Sequence, residues 1–184
     1  MKRSKLIALA ALILLGPVTA GAHPGHVEHL AQMGWLQSAV AGFVHPFTGL
    51  DHLLAMLGVG ALAVRQRSAR IAPLVFNSLL VLGGLLGLMG FGMPFVEGGI
   101  AVSLLVVAVA LAVGHQLNGR LLAFVVGGFG LFHGVAHGME MPTAATSELF
   151  LAGMLLGSVA LQIVGFTLAK CVALAYSVER FYLG

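Results

Sequence analysis

Five long apolar runs, at residues 44–64, 71–92, 96–114, 121–139 and 148–175, take up most of a chain of 184 residues. No other feature constrains its folding as much, because about 20 consecutive apolar residues make a helix that crosses the hydrocarbon core of a bilayer. Only 9 Lys+Arg and 6 Asp+Glu are present, 8% of the chain against ~25% in an average soluble domain. Mean hydropathy is +1.04. The expected fold class is therefore an all-α integral membrane protein, a compact bundle of about five transmembrane helices. Spans and links use up the length, which excludes an ATPase, a kinase or a soluble enzyme module. No G-x-x-x-x-G-K-[ST] phosphate loop occurs either.

Residues 1–22 have the three parts of a cleavable signal peptide: basic Lys2, Arg3 and Lys5, an apolar stretch from Leu6 to Leu15, and the small-residue ending Ala20-Gly21-Ala22. Residues 23–43 are expected to form a periplasmic, histidine-containing N-terminus and an interfacial segment, with Trp35 suited to the headgroup region. Residues 44–184 are the transmembrane helical domain. Counting alternate loops from an outside N-terminus puts Arg65, Arg67, Arg70, Arg120, Lys170 and Arg180 all on the cytoplasmic side. This distribution sets an N-out, C-in orientation in a bacterial inner membrane. The basic clusters behind the pI of 9.5 are thus topology signals, and no nucleic-acid partner is expected. The partners expected are lipid and a metal ion, and self-association is left open.

Most of the 26 glycines lie inside the apolar runs. Gly130, Gly134 and Gly138 are spaced by four, as are Gly153 and Gly157, the pattern that lets helix backbones approach closely in lipid. The lone Cys171 allows neither an intrachain disulfide nor a cysteine-based metal cluster.

Ionisable residues inside a span are expensive and mark function by default. The first group is His45-Pro46-Phe47-Thr48-Gly49-Leu50-Asp51-His52, where Pro46 and Gly49 are expected to interrupt the helix. A plain structural reading of Thr48 and Asp51 is a capping box. It accounts for neither histidine. Met56 shares a helix face with His52. The second group is Phe132-His133-Gly134-Val135-Ala136-His137-Gly138-Met139-Glu140, in which His133, His137 and Glu140 share one stripe of a helix. The topology puts both groups in the outer half of the membrane, where they can face each other. Four imidazoles with up to two carboxylates suit Ni²⁺, Co²⁺ or Zn²⁺ better than Mg²⁺ or Ca²⁺. After leader cleavage, the terminal amine and the imidazoles of His23 and His26 are a third candidate, for capture outside the membrane. Asn77, Ser103, Ser158 and Gln162 read as interhelical hydrogen-bond partners.

These two motifs, with the leader and the His-Pro-Gly-His start that follows it, closely resemble the HupE/UreJ family of nickel permeases over essentially the whole chain. The resemblance implies a metal path through His45, Asp51 and His52 and through His133, His137 and Glu140. It also implies a functional link to hydrogenase or urease maturation. It leaves nickel and cobalt undistinguished. The expected protein is a permease and not an enzyme, with Ni²⁺ or Co²⁺ as transported ligand and no prosthetic group. The alternatives are an intramembrane zinc hydrolase with Asp51 or Glu140 as general base, and a b-type haem protein using His52 and His133.

Overall fold

The computed structural model describes residues 34–113, 118–141 and 146–183, and among them every regular element is helical. Six α-helices follow in order: α1 Trp35–Thr48, α2 Leu50–Arg65, α3 Ala72–Leu88, α4 Val96–Val113, α5 Gly119–Glu140 and α6 Ser147–Leu183. A single 3-10 turn, Arg67–Ala69, joins α2 to α3. The expected leader, His23 and His26 lie outside the described residues.

The helix count differs from the five expected spans, and the first run shows why. Its opening residues belong to α1, which starts at Trp35 and continues through Pro46, so the segment expected at the interface and the start of the first run are one helix. The chain then turns by 83° into α2. Pro46 sits in the last turn of α1, where little helix remains to be disrupted. The break falls at Gly49, whose extended backbone (φ −96°, ψ 125°) ends one helix and caps the next. Thr48 does not open α2 with a capping box. Its hydroxyl donates to the His45 carbonyl at 2.8 Å and closes α1 instead.

By length and composition, α5 (Gly119–Met139) and α6 (Ser147–Ala175) can each cross a membrane, and the bent pair α1–α2 makes a third crossing if counted as one. The other two runs give shorter apolar helices. The 17 residues of α3 rise about 26 Å, short of a core of about 30 Å. The run to residue 92 overshoots this helix because apolar Met89 and Phe91 belong to a turn, in which Gly90 takes φ +86°. Local caps fix other ends: Pro73 lies in the first turn of α3, and the Asn118 side chain accepts from the amides of Arg120 and Leu121 at the start of α5.

The four-spaced glycines are helix contacts. A Cβ on Gly134 of α5 would strike the Leu80 carbonyl of α3, and one on Gly157 of α6 would strike the Phe43 carbonyl of α1. The closest pairing in the bundle is α3 with α5, while α1 and α2 both lie on α6. Met56, Val59, Leu62, Phe76, Leu80, Val126, Met154 and Leu161 fill the interior. Trp35, Leu74, Leu82, Phe124, Ile163 and Leu168 point outward, an apolar surface suited to lipid.

Candidate metal centre

The bend at Gly49 decides where the first histidine pair goes. His45 stands in the last turn of α1 and His52 in the first turn of α2, so a helix break brings into contact two side chains that a straight helix would hold two turns apart. Their rings are 5.7 Å apart, edge to face. The second pair comes from α5, whose glycine-lined face lies against α3 and lets its last two turns run deep into the bundle. His133 and His137 are both buried there, one turn apart.

His45, His52 and His137 converge from three different helices. Each offers a ring nitrogen, and the three nitrogens lie within 4.8 Å of one another. Nitrogens bound to one ion at about 2.0–2.1 Å stand at most about 4.2 Å apart, so small ring rotations are enough to close this set on a metal. The tightest approach is His52 Nε2 to His137 Nε2, at 2.7 Å. The His45 ring lies 4.6 Å from that of His137 and 5.5 Å from that of Phe150, which backs the site from α6.

Asp51 Oδ1 is 3.1 Å from His52 Nδ1. A carboxylate on the far nitrogen fixes the tautomer and orientation of a ligating histidine and raises its basicity. Asp51 therefore orients His52 and, in this arrangement, is not itself one of the converging donors. The hydrolase alternative needs either Asp51 or Glu140 as a free base, and Asp51 is engaged with His52.

His133 is fully buried, with its ring 5.2 Å from that of His52 and 5.6 Å from that of Phe76. Its Nδ1–H donates to the Phe129 carbonyl at 2.9 Å, so Nε2 carries the lone pair. Among the described residues that Nε2 has no hydrogen-bond partner. A buried acceptor left unpaired costs about 1–3 kcal/mol, which is unusual beside three other imidazoles unless the nitrogen has another use. Glu140 is the last residue of α5, and its side chain lies outside the described part of the structure. Met56 is buried and accepts a hydrogen bond from Gln162, and among the described residues the converging donors are imidazole nitrogens.

A set of three imidazoles backed by a carboxylate suits Ni²⁺, Zn²⁺ and related divalent ions. A family model described as HupE / UreJ protein matches residues 10–183. The chain belongs to the HupE/UreJ family. A curated relative, Protein HupE of Rhizobium leguminosarum bv. viciae, is 36% identical over 173 residues, covering 92% of this chain and 85% of the relative. No solved structure matches the chain. As a HupE/UreJ member with long apolar helices, it is a membrane protein with a role related to nickel or cobalt transport.

Sequence reasoning missed three contributors to the candidate site. Phe150 and Phe76, which back His45 and His133, are far away in the chain and carry no local signal. The carbonyl of Phe129 could have been found, since it lies one helical turn before His133.

Proposed function

We propose that this HupE/UreJ protein is a bacterial inner-membrane permease, N-out and C-in, that takes up Ni²⁺ or Co²⁺ for metalloenzyme maturation. The mature N-terminus with His23 and His26 captures the ion outside. His45, His52 and His137 replace part of its hydration shell, with His133 and Glu140 as further ligands and Asp51 holding His52 in position. The observation that carries this reading is the convergence of three imidazoles from three helices at the break between α1 and α2. Irregular backbone at membrane depth is tolerated where it is buried in protein or lines a cavity, and transporters place ion sites at such broken helices.

The potential alone can drive uptake. A dication moving inward gains ~4.6 kcal/mol per 100 mV, twice the single-charge figure. The test is uptake of radiolabelled Ni²⁺ and Co²⁺ by cells expressing the wild type or His52→Ala, normalised to chain in the membrane. Uptake by the wild type and none by the variant is expected. Equal uptake by both removes the histidine path.

A further inference from the structure

The bundle holds a second polar layer that the histidines do not use. Asn77 of α3 and Gln162 of α6 meet amide to amide: Asn77 Nδ2 donates to Gln162 Oε1 at 2.7 Å, and Gln162 Nε2 donates to Asn77 Oδ1 at 3.3 Å. The same Gln162 Nε2 donates to Met56 Sδ of α2 at 3.6 Å. Met56 is 1% exposed and Gln162 4%. Met56 lies one helical turn, about 6 Å, beyond His52 toward the Arg65 end of α2. Phe76, next to Asn77, packs on His133. Three helices thus carry donor-bearing side chains one layer away from the histidine set.

The chemistry of a primary amide gives this layer two arrangements. Its carbonyl and amino ends are nearly equal in size, so a half-turn of the terminal torsion exchanges acceptor and donor without repacking. In the arrangement observed, Gln162 points its N–H groups at Asn77 Oδ1 and Met56 Sδ, and the layer is closed on itself by hydrogen bonds. With the Gln162 amide turned over, Gln162 Oε1, Asn77 Oδ1 and Met56 Sδ come together with no hydrogen between them, while Gln162 Nε2 comes to face Asn77 Nδ2, and these two amino groups, donors both, push the amides apart. Three acceptors in a buried site repel unless a cation sits among them.

We propose that Met56, Asn77 and Gln162 form a second, inner binding site for the transported divalent ion, opened by rotation of the Gln162 amide. The inference rests on the permease reading above and deepens it. Conduction requires several sites, none of them too tight, and one thioether with two neutral oxygens holds such an ion less firmly than three imidazoles. The layer passes the ion inward from the histidines and closes behind it.

The competing account is interhelical glue. Uptake of radiolabelled Ni²⁺ and Co²⁺ per chain, with Tm in detergent, separates the two for wild type, His52→Ala, Met56→Leu and Gln162→Glu. Met56→Leu keeps the volume and removes the sulfur. It is expected to lower uptake at least fivefold with Tm unchanged. Gln162→Glu puts a charged acceptor in the layer, and the purified variant is expected to retain Ni²⁺ at least tenfold longer than the wild type. Wild-type uptake by Met56→Leu overturns the inner site, and the permease reading survives if His52→Ala is inactive. If Met56→Leu loses uptake only together with stability, Gln162→Glu decides, and unchanged retention overturns the site. Absence of uptake by the wild type overturns both readings.

Discussion

The Nε2 atoms of His52 and His137, 85 residues apart in the chain and on different helices, stand 2.7 Å from one another. Two lone pairs do not meet at that distance, so one ring carries the proton that bonds to the other. With Asp51 on His52 Nδ1, the neutral pair has His137 as Nε2–H donor and His52 Nε2 as acceptor. In the permease reading proposed above, an ion would part these two nitrogens, with the His137 proton moved to Nδ1 so that both rings remain neutral ligands. The contact itself is a latch between α2 and α5.

Asp51→Ala leaves His52 without its orienting carboxylate. Partners of this kind typically contribute 10–100-fold in metal affinity. Ni²⁺ titration of the purified variant should show a loss of about that size with Tm near the wild-type value. Unchanged affinity would mean that packing alone holds the His52 ring.

His133→Phe separates ligand from filler. The phenyl ring keeps the bulk against Phe76 and removes the unpartnered Nε2, so Tm should hold or rise. If that nitrogen ligates the ion, Ni²⁺ affinity falls by on the order of tenfold, about 1.4 kcal/mol. Wild-type affinity in a stable variant would reduce His133 to packing.

Protons compete with metal for imidazole nitrogen, because only the neutral ring has a lone pair to give. Ni²⁺ binding by the purified protein should therefore weaken as pH falls from about 7 to 5, the range in which histidine usually changes charge. The wild type should release protons as it binds metal. Binding that strengthened on acidification would contradict ligation by imidazole.

Gly134→Val drives a side chain into the Leu80 carbonyl of α3. Overpacking of this kind costs about 1–3 kcal/mol or more, to be read as a lowered Tm in detergent. Gly128→Ala on the same helix meets nothing within 4 Å and should be nearly neutral. Equal Tm values for the two would contradict the close α3–α5 contact.

Much of this was legible in the residues. Apolar runs located the helices because lipid demands them. Four-spaced glycines marked α5 and α6 as packing surfaces because backbones can touch only where Cβ is missing. The i, i+4 spacing put His133 and His137 on one face. The route of the chain around Gly49 was not legible: whether Pro46 or Gly49 breaks the helix depends on where Pro46 finds room, and it finds it against Gly157 of α6. Asp51's work as orienter was equally hidden, since it depends on the ring angle of His52. Ser103, expected to bond between helices, turns back to the Ile100 carbonyl of its own helix. Asn77 and Gln162 do bond across helices as expected, but their link to Met56 needed three dimensions.

The central claim is that imidazoles from separate helices jointly hold the transported ion. Its most direct test is the initial rate of radiolabelled Ni²⁺ uptake by cells expressing wild type or His137→Ala, normalised to chain in the membrane. The prediction is rapid, saturable uptake by the wild type and background uptake by His137→Ala at equal abundance. Saturable uptake at the wild-type rate by His137→Ala would contradict it.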